Sequence, residues 1–191
     1  MKLTFLGADH EVTGSCHYLC VGDKNILIDC GMEQGNDVYE NQELPIPASD
    51  VDYVLLTHAH IDHSGRIPKL YNEGYRNPIY ATKATCDLCS IMLPDSGHIQ
   101  EMEIEWKNRK RLRKGEKALP PLYTAEDAAK SLEIFKPVEY DKLIEIDENI
   151  HVRYNDAGHM LGSAIIEVWI NEDGEQKKVV FTGDIGNNDI P

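Results

Sequence analysis

The sequence predicts an α/β layered domain, and three observations carry that reading. The chain opens with three short runs rich in Leu, Ile, Val, Phe and Tyr, separated by Gly and Asp. Its middle alternates strand-type and helix-type patterns, and four further strand-type runs close it. Strands, then strand–helix alternation, then strands again is the order of a layered α/β domain. With 191 residues, the chain is long enough for one domain with a substantial core.

"KLTFLGA", "SCHYLCVG" and "NILIDCG" read as strands of a meander. "VDYVLLTH" is a near-continuous apolar run ending in polar residues, which predicts a buried strand. In "DHSGRIPKLYNEG", Ile67, Leu70 and Tyr71 recur at helical spacing. Pro68 suits a first turn and Gly74 a cap. "PIYATKAT" predicts another strand. Residues 84–118 read as largely helical, broken or kinked around Pro94 to Gly97. A short helix is expected from Thr124 to Phe135, with Thr124 as N-cap and Asp127 three residues on. From residue 138 the pattern returns to strands in "KLIEI", "IHVRYNDAG", "AIIEVWI" and "KKVVFTGD", with a hairpin turn at Asp173-Gly174.

Composition narrows the function classes. Apolar residues at 41% and charged residues at 27% make an ordinary globular balance. No apolar run approaches the roughly 18–20 residues that span a bilayer, and the N-terminus lacks a signal-peptide core, so no membrane partner and a cytoplasmic location are expected. Thirty-three acidic residues against 19 basic ones give a formal net charge of −14, which argues against a nucleic-acid surface spread over the whole chain. The five cysteines do not suggest a disulfide framework, and "CDLC" reads as two thiols on successive helical turns.

The chemistry concentrates in "THAHIDHSG". His58, His60, Asp62 and His63 are four metal-ligand types within one strand-to-helix turn. In an extended segment His58 and His60 project to the same side. Asp62 and His63, at the start of the helix, can aim at a second point nearby. Two later residues fit the same scheme: His159 in "AGHMLGSA" and Asp184 in "VVFTGD", each where the chain bends out of a strand. Either alone reads more simply as a cap or surface group. Together with the cluster they read as metal ligands.

"THAHIDHSG", "AGHMLGSA" and "FTGDIG", in that order, resemble the motifs of the metallo-β-lactamase superfamily. "GADHEVTGSCHYL", "ILIDCGMEQG", "DSGHIQEMEIEW" and "GHMLGSA" narrow the resemblance to the β-CASP branch of RNA-processing nucleases. The resemblance implies a metallo-β-lactamase-type αββα sandwich, of which residues 1–191 would be the N-terminal portion. The β-CASP domain and C-terminal remainder would lie outside it, and such a fragment is expected to be inactive or weak. It implies two zinc ions per full-length active site: His58, His60 and His159 on the first, Asp62 and His63 on the second, and Asp184 bridging, with one further histidine of the second site expected from the remainder. Asp29 would orient the histidine cluster from behind. The implied reaction is hydrolysis of RNA, single-stranded RNA in preference, by metal-activated water, with Asp62 and Asp184 in catalytic roles. A homo-oligomer is compatible with it.

"WKNRKRLRKGEK" is a basic cluster, with seven Lys or Arg against one Glu. It reads first as a solvated helix face. The alternative is an RNA-backbone contact through Arg109, Arg111 and Arg113. His98 reads as a pocket-lining or structural residue, and Glu11 and Ser15 sit in a loop that approaches the site. Two other functions compete: a hydrolase of small esters or thioesters, and a non-catalytic scaffold. The intact ligand set speaks against the scaffold.

Overall fold

The computed structural model describes residues 1–35, 42–172 and 174–187. Strands β1 (Lys2–Gly7), β2 (Cys16–Val21) and β3 (Lys24–Ile28) form the expected antiparallel meander. Strands β4 (Tyr53–Leu55), β5 (Ile79–Thr82) and β6 (Phe135–Val138) then add in parallel, giving a six-stranded sheet in the order β1-β2-β3-β4-β5-β6. Strands β7 (Ile144–Asp147), β8 (Ile150–Asp156), β9 (Ala164–Glu172) and β10 (Glu175–Phe181) make a second, antiparallel sheet in the order β10-β9-β8-β7.

The parallel strands need crossovers, and helices supply them. α1 (Ile61–Ser64) and α2 (Ile67–Asn72) join β4 to β5; α3 (Lys83–Arg113) and α4 (Ala125–Ser131) join β5 to β6. Two cores result. One lies between the helices and the first sheet, built from residues such as Leu27, Val54, Ile67, Leu70, Cys89 and Leu93. The other lies between the sheets, where Leu19, Ile26 and Leu55 meet Val152, Ile166 and Val168. Both faces of the first sheet are therefore buried, which explains the near-continuous apolar runs of β3 and β4. The described residues thus show a helix layer and two sheet layers of the predicted sandwich.

Four expectations need correction. β4 is only three residues long; Leu56 N–H still donates to the Tyr80 carbonyl of β5 at 2.9 Å, and beyond it the chain turns to carry polar groups outward. "PIYATKAT" splits at Thr82, whose side chain accepts a hydrogen bond from the Thr85 N–H and caps α3. Pro94 does not break α3, which runs unbroken over 31 residues. Its second half is held to the segment entering α4: Ser96 and Tyr123 hydroxyls pair at 2.9 Å, and the Ala125 N–H donates to Glu101 at 3.2 Å. Finally, β6 begins at Phe135, where a helix end was expected. Pro137 is tolerated because β6 is the edge strand of its sheet. The helix before it is as read, with Thr124 and Asp127 forming a reciprocal capping box. Of the Asp173-Gly174 turn, Asp173 lies outside the described residues, and Gly174 has φ of 78°.

Gly97 gives a test of the α3–α4 contact. A Cβ there would stand 2.7 Å from the Ala125 nitrogen and the Thr124 carbonyl carbon. Helix propensity alone favours alanine by about 1 kcal/mol. Overpacking costs about 1–3 kcal/mol. Gly97→Ala is expected to lower the urea midpoint; a raised midpoint would show that α4 yields freely.

Candidate metal centre

The site forms where strand ends of both sheets converge. Asp29 follows β3, Thr57 and His58 follow β4, His159 follows β8, and Asp184 follows β10. Ligands in α/β sheets gather at the carboxyl ends of strands for this reason: the chain leaves the ladder there with free side chains. The loops are tied together closely. Ala164 N–H donates to the Thr57 carbonyl at 2.9 Å, joining the sheets. The Ser163 hydroxyl accepts from His159 N–H at 3.1 Å and Met160 N–H at 3.2 Å, fixing the His159 turn. Thr82 and Thr85 hydroxyls both donate to the Gly162 carbonyl, at 2.7 and 2.8 Å.

Two glycines make the approach sterically feasible. A Cβ on Gly31 would lie 1.7 Å from the Asp62 carbonyl oxygen, and one on Gly186 would lie 1.6 Å from that of Gly158. The first lets the strand β3 exit pack against the turn carrying Asp62. The second lets the Asp184 loop pack against the His159 loop.

His58, His60, His159 and Asp184 offer one donor atom each, all within 4.8 Å of one another. His60 Nδ1 sits 3.1 Å from His58 Nε2 and 3.2 Å from His159 Nε2. Asp184 Oδ2 lies 3.4 Å from His159 Nε2 and 3.9 Å from His58 Nε2. Bonds of about 2.0–2.1 Å to a tetrahedral ion set donor–donor edges near 3.3 Å, so these four donors fit one ion. Three imidazole nitrogens facing one point is otherwise a poor arrangement, since their lone pairs repel and few protons fit between them.

A second cluster adjoins it. His63 Nε2 lies 3.3 Å from Asp184 Oδ1 and 3.8 Å from Asp62 Oδ2. Asp184 therefore turns one oxygen to each cluster. All six sequence-predicted ligand residues are brought together.

Asp29 lies behind this second cluster, 1% exposed. Its carboxylate accepts from His63 Nδ1 at 2.7 Å, the Thr57 N–H at 2.8 Å and the Ser15 hydroxyl at 3.2 Å. The contact with His63 Nδ1 leaves Nε2 as that ring's metal-facing atom. Burial pulls the His63 pKa down, but hydrogen bonding and charge from Asp29, with Asp62 and Asp184, outweigh it and raise the value. His58 goes the other way: burial, then the neighbouring His63, drive it to about 3, which keeps the ring neutral and its lone pair free.

Thr57 was not singled out in the sequence. Its hydroxyl stands 2.9 Å from Asp29 Oδ2 and 3.0 Å from His58 Nδ1, linking both clusters from behind. The only advance signal was its position directly before the first histidine. Ser15 approaches the site as expected: its N–H donates to the Asp62 carbonyl at 2.7 Å. Glu11 precedes it in the same loop.

Other singled-out residues lie elsewhere. His98 is exposed on α3. Arg109 and Arg113 are exposed near the end of α3. Arg109 pairs with Glu105 at 2.6 Å, and Arg111 pairs with Glu116 at 2.9 Å. Cys86 and Cys89 are on α3 as read, and burial raises their thiols to about 11 and about 12. That leaves them protonated and poor ligands.

Comparison with known proteins agrees with this geometry. A ribonuclease from Thermus thermophilus, TTHA0252, is 36% identical over 190 residues, which are 99% of this chain and 39% of that protein. The transcription termination factor FttA of Methanosarcina mazei is 34% identical over 96% of this chain and 27% of its own length. An Integrator complex subunit 11 homolog of Dictyostelium discoideum is 32% identical, covering 96% and 24%. The chain thus spans well under half the length of these curated relatives. Among solved structures, the subclass B3 metallo-β-lactamase MEM-A1 superposes with a TM-score of 0.58 at 19% identity, over 94% of this chain and 59% of that one, a likeness of fold. The profile of the metallo-β-lactamase superfamily domain matches residues 18–188. On its fold, its donor geometry and this match, the chain belongs to the metallo-β-lactamase superfamily.

Proposed function

We propose that this chain carries the metal centre of a β-CASP ribonuclease, a two-zinc phosphodiester hydrolase acting on single-stranded RNA. The observation that carries the reading is the pair of adjoining donor clusters with Asp184 facing both. In this reading His58, His60, His159 and Asp184 would hold the first ion, and Asp62, His63 and Asp184 would contribute to the second. The relatives named as a ribonuclease, a transcription termination factor and an Integrator subunit support RNA as the substrate class. Imidazole and carboxylate donors in a tetrahedral set favour zinc. Five free thiols suit a reducing compartment, which supports a cytoplasmic location. No described helix is long and apolar enough to cross a membrane.

Bound zinc supplies Lewis acidity toward the phosphate oxygens and brings the pKa of a water toward about 7. The chain's own groups do the rest. Asp62, whose Oδ2 is 3.8 Å from His63 Nε2, is placed to accept a hydrogen bond from the attacking water and orient it. Asp184 fixes the spacing of the two clusters. Asp29 holds His63 in the tautomer that presents Nε2. Thr57 braces Asp29 and His58 together, so the donors need not reorganise during reaction.

The test is RNA hydrolysis by the whole protein before and after chelation. Stripping metal is expected to abolish cleavage, and zinc is expected to restore it with two equivalents per chain. Full activity in the stripped protein would refute the reading. For the basic end of α3 we propose a weaker role, contact with the RNA backbone. Neutralising Arg109, Arg111 and Arg113 together is expected to reduce RNA affinity and flatten its salt dependence. Because Arg109 and Arg111 already pair with carboxylates, the effect is expected below the full three-charge slope. An unchanged salt slope would leave these residues as a solvated helix end.

A further inference from the structure

Two thiols lie directly behind the metal centre, and the mechanism uses neither. Cys16 opens β2, and Cys30 lies two residues past the end of β3. The His17–Ile28 register pair and the bond from Gly31 N–H to the Ser15 carbonyl, 2.8 Å, make them cross-strand neighbours. In that register they form a non-hydrogen-bonded cross-strand pair, the kind in which facing side chains come closest. They are 3% and 5% exposed, yet both line a cavity of about 300 Å³ whose wall also includes Arg66 and Lys69. Cys20, Cys86 and Cys89 do not line that cavity.

We propose that Cys16 and Cys30 are a redox-modification site, a thiol pair that a small hydroperoxide entering this cavity converts to a disulfide. The Cys30 thiolate attacks one oxygen of hydrogen peroxide; the O–O bond breaks, Cys30 becomes a sulfenic acid, and hydroxide leaves to take up a proton as water. The Cys16 thiol then attacks the Cys30 sulfur and gives up its proton, the S–O bond breaks, and the leaving hydroxide takes that proton as a second water. Overall two thiols lose two electrons and two protons, and one peroxide is reduced to two waters. Cys30 is the first nucleophile for a physical reason. Arg66, whose N–H donates to the Cys30 carbonyl at 2.9 Å, lines the same cavity, and its cation favours the thiolate there.

The modification reaches the metal centre through the backbone. Ser15, next to Cys16, donates its N–H to the Asp62 carbonyl and its hydroxyl to Asp29. Cys30 N–H donates to the His63 carbonyl at 2.8 Å, and its carbonyl accepts from Arg66 N–H at 2.9 Å. Drawing the two thiols to covalent distance displaces the peptide groups on which Asp62 and His63 hang. Weaker metal binding at the second cluster follows, by roughly tenfold, the scale of losing an outer-shell contact.

The experiment is peroxide treatment of the folded protein, alkylation of remaining thiols, and peptide mapping by mass spectrometry without reduction. A Cys16–Cys30 cross-linked peptide lighter by two hydrogens, and lost on treatment with dithiothreitol, is the expected result. In Cys16→Ser, Cys30 is expected to accumulate as a dimedone-trapped sulfenic acid. If Cys16 and Cys30 both remain alkylatable while Cys20 or Cys86 is consumed, the proposal is overturned, and the wild-type map alone decides it. Chelator competition then compares zinc affinity before and after oxidation. Equal affinities would overturn the link to the metal centre. Neither readout depends on RNA cleavage, so the failure of either reading can be told from that of the other.

Discussion

His60→Ala is expected to abolish tight binding of the first ion of the proposed centre while leaving the fold in place. His60 Nδ1 is the donor closest to two partners at once, 3.1 Å from His58 Nε2 and 3.2 Å from His159 Nε2. Removing it leaves three donors, one of them the half-exposed Asp184. The side chain is only partly buried and makes no capping bond to α1, so folding depends on it little. Unfolding free energy of the metal-free protein is expected to change by about 1 kcal/mol or less. Lewis-acid assistance is worth several kcal/mol, so on the proposed function RNA hydrolysis by the whole protein carrying the change is expected to fall roughly 10³-fold or more. Zinc content per chain and a denaturant melt check the two halves. A variant that binds two zinc ions and cleaves normally would remove His60 from the centre.

The reach of sequence reasoning here follows from the range of the contacts involved. His58, His60, Asp62 and His63 were legible because their spacing is itself the chemistry: a strand end followed by a helix start aims them at two neighbouring points. His159 and Asp184 were legible as ligand types at strand exits. What holds them was not. Thr57 is an ordinary strand-end residue until Asp29 arrives from 28 positions away. Gly31 and Gly186 matter only because the backbones of Asp62 and Gly158 pass within reach of their missing Cβ atoms. The fold shows the same division. The apolar runs located both sheets, and the Thr124–Asp127 box located α4. Local rules failed where tertiary contact overrode them. The α3 helix was read as broken or kinked around Pro94 to Gly97, yet it runs on unbroken, with Ser96, Gly97 and Glu101 meeting the segment that enters α4. The α4 helix was read through to Phe135 and the next strand from residue 138, yet Phe135–Val138 pairs with β5 as the edge strand of the first sheet.

The sharpest test of the support behind the ligands is Asp29→Asn. Asp29 has φ of 58°, a left-handed conformation that Asn tolerates well, so the backbone has no reason to move. The change is one oxygen to one NH₂ group, and neither orientation of the amide fits. With its oxygen toward Thr57 N–H, 2.8 Å away in the native chain, the NH₂ faces His63 Nδ1. His63 must then accept at Nδ1, carry its proton on Nε2, and lose the lone pair that faces Asp62 and Asp184. With the amide flipped, His63 keeps its tautomer but the Thr57 N–H meets a donor. A buried donor without a partner costs about 1–3 kcal/mol. Both outcomes weaken the second cluster; on the proposed two-zinc reading, zinc affinity there in the whole protein is expected to fall about 10–100-fold while the first cluster keeps its ion. Chelator competition resolves the two affinities, and the ¹⁵N shifts of the His63 ring report which nitrogen carries the proton. Two wild-type affinities in Asp29→Asn would mean that His63 is oriented by its other contacts and that the buried carboxylate serves folding alone.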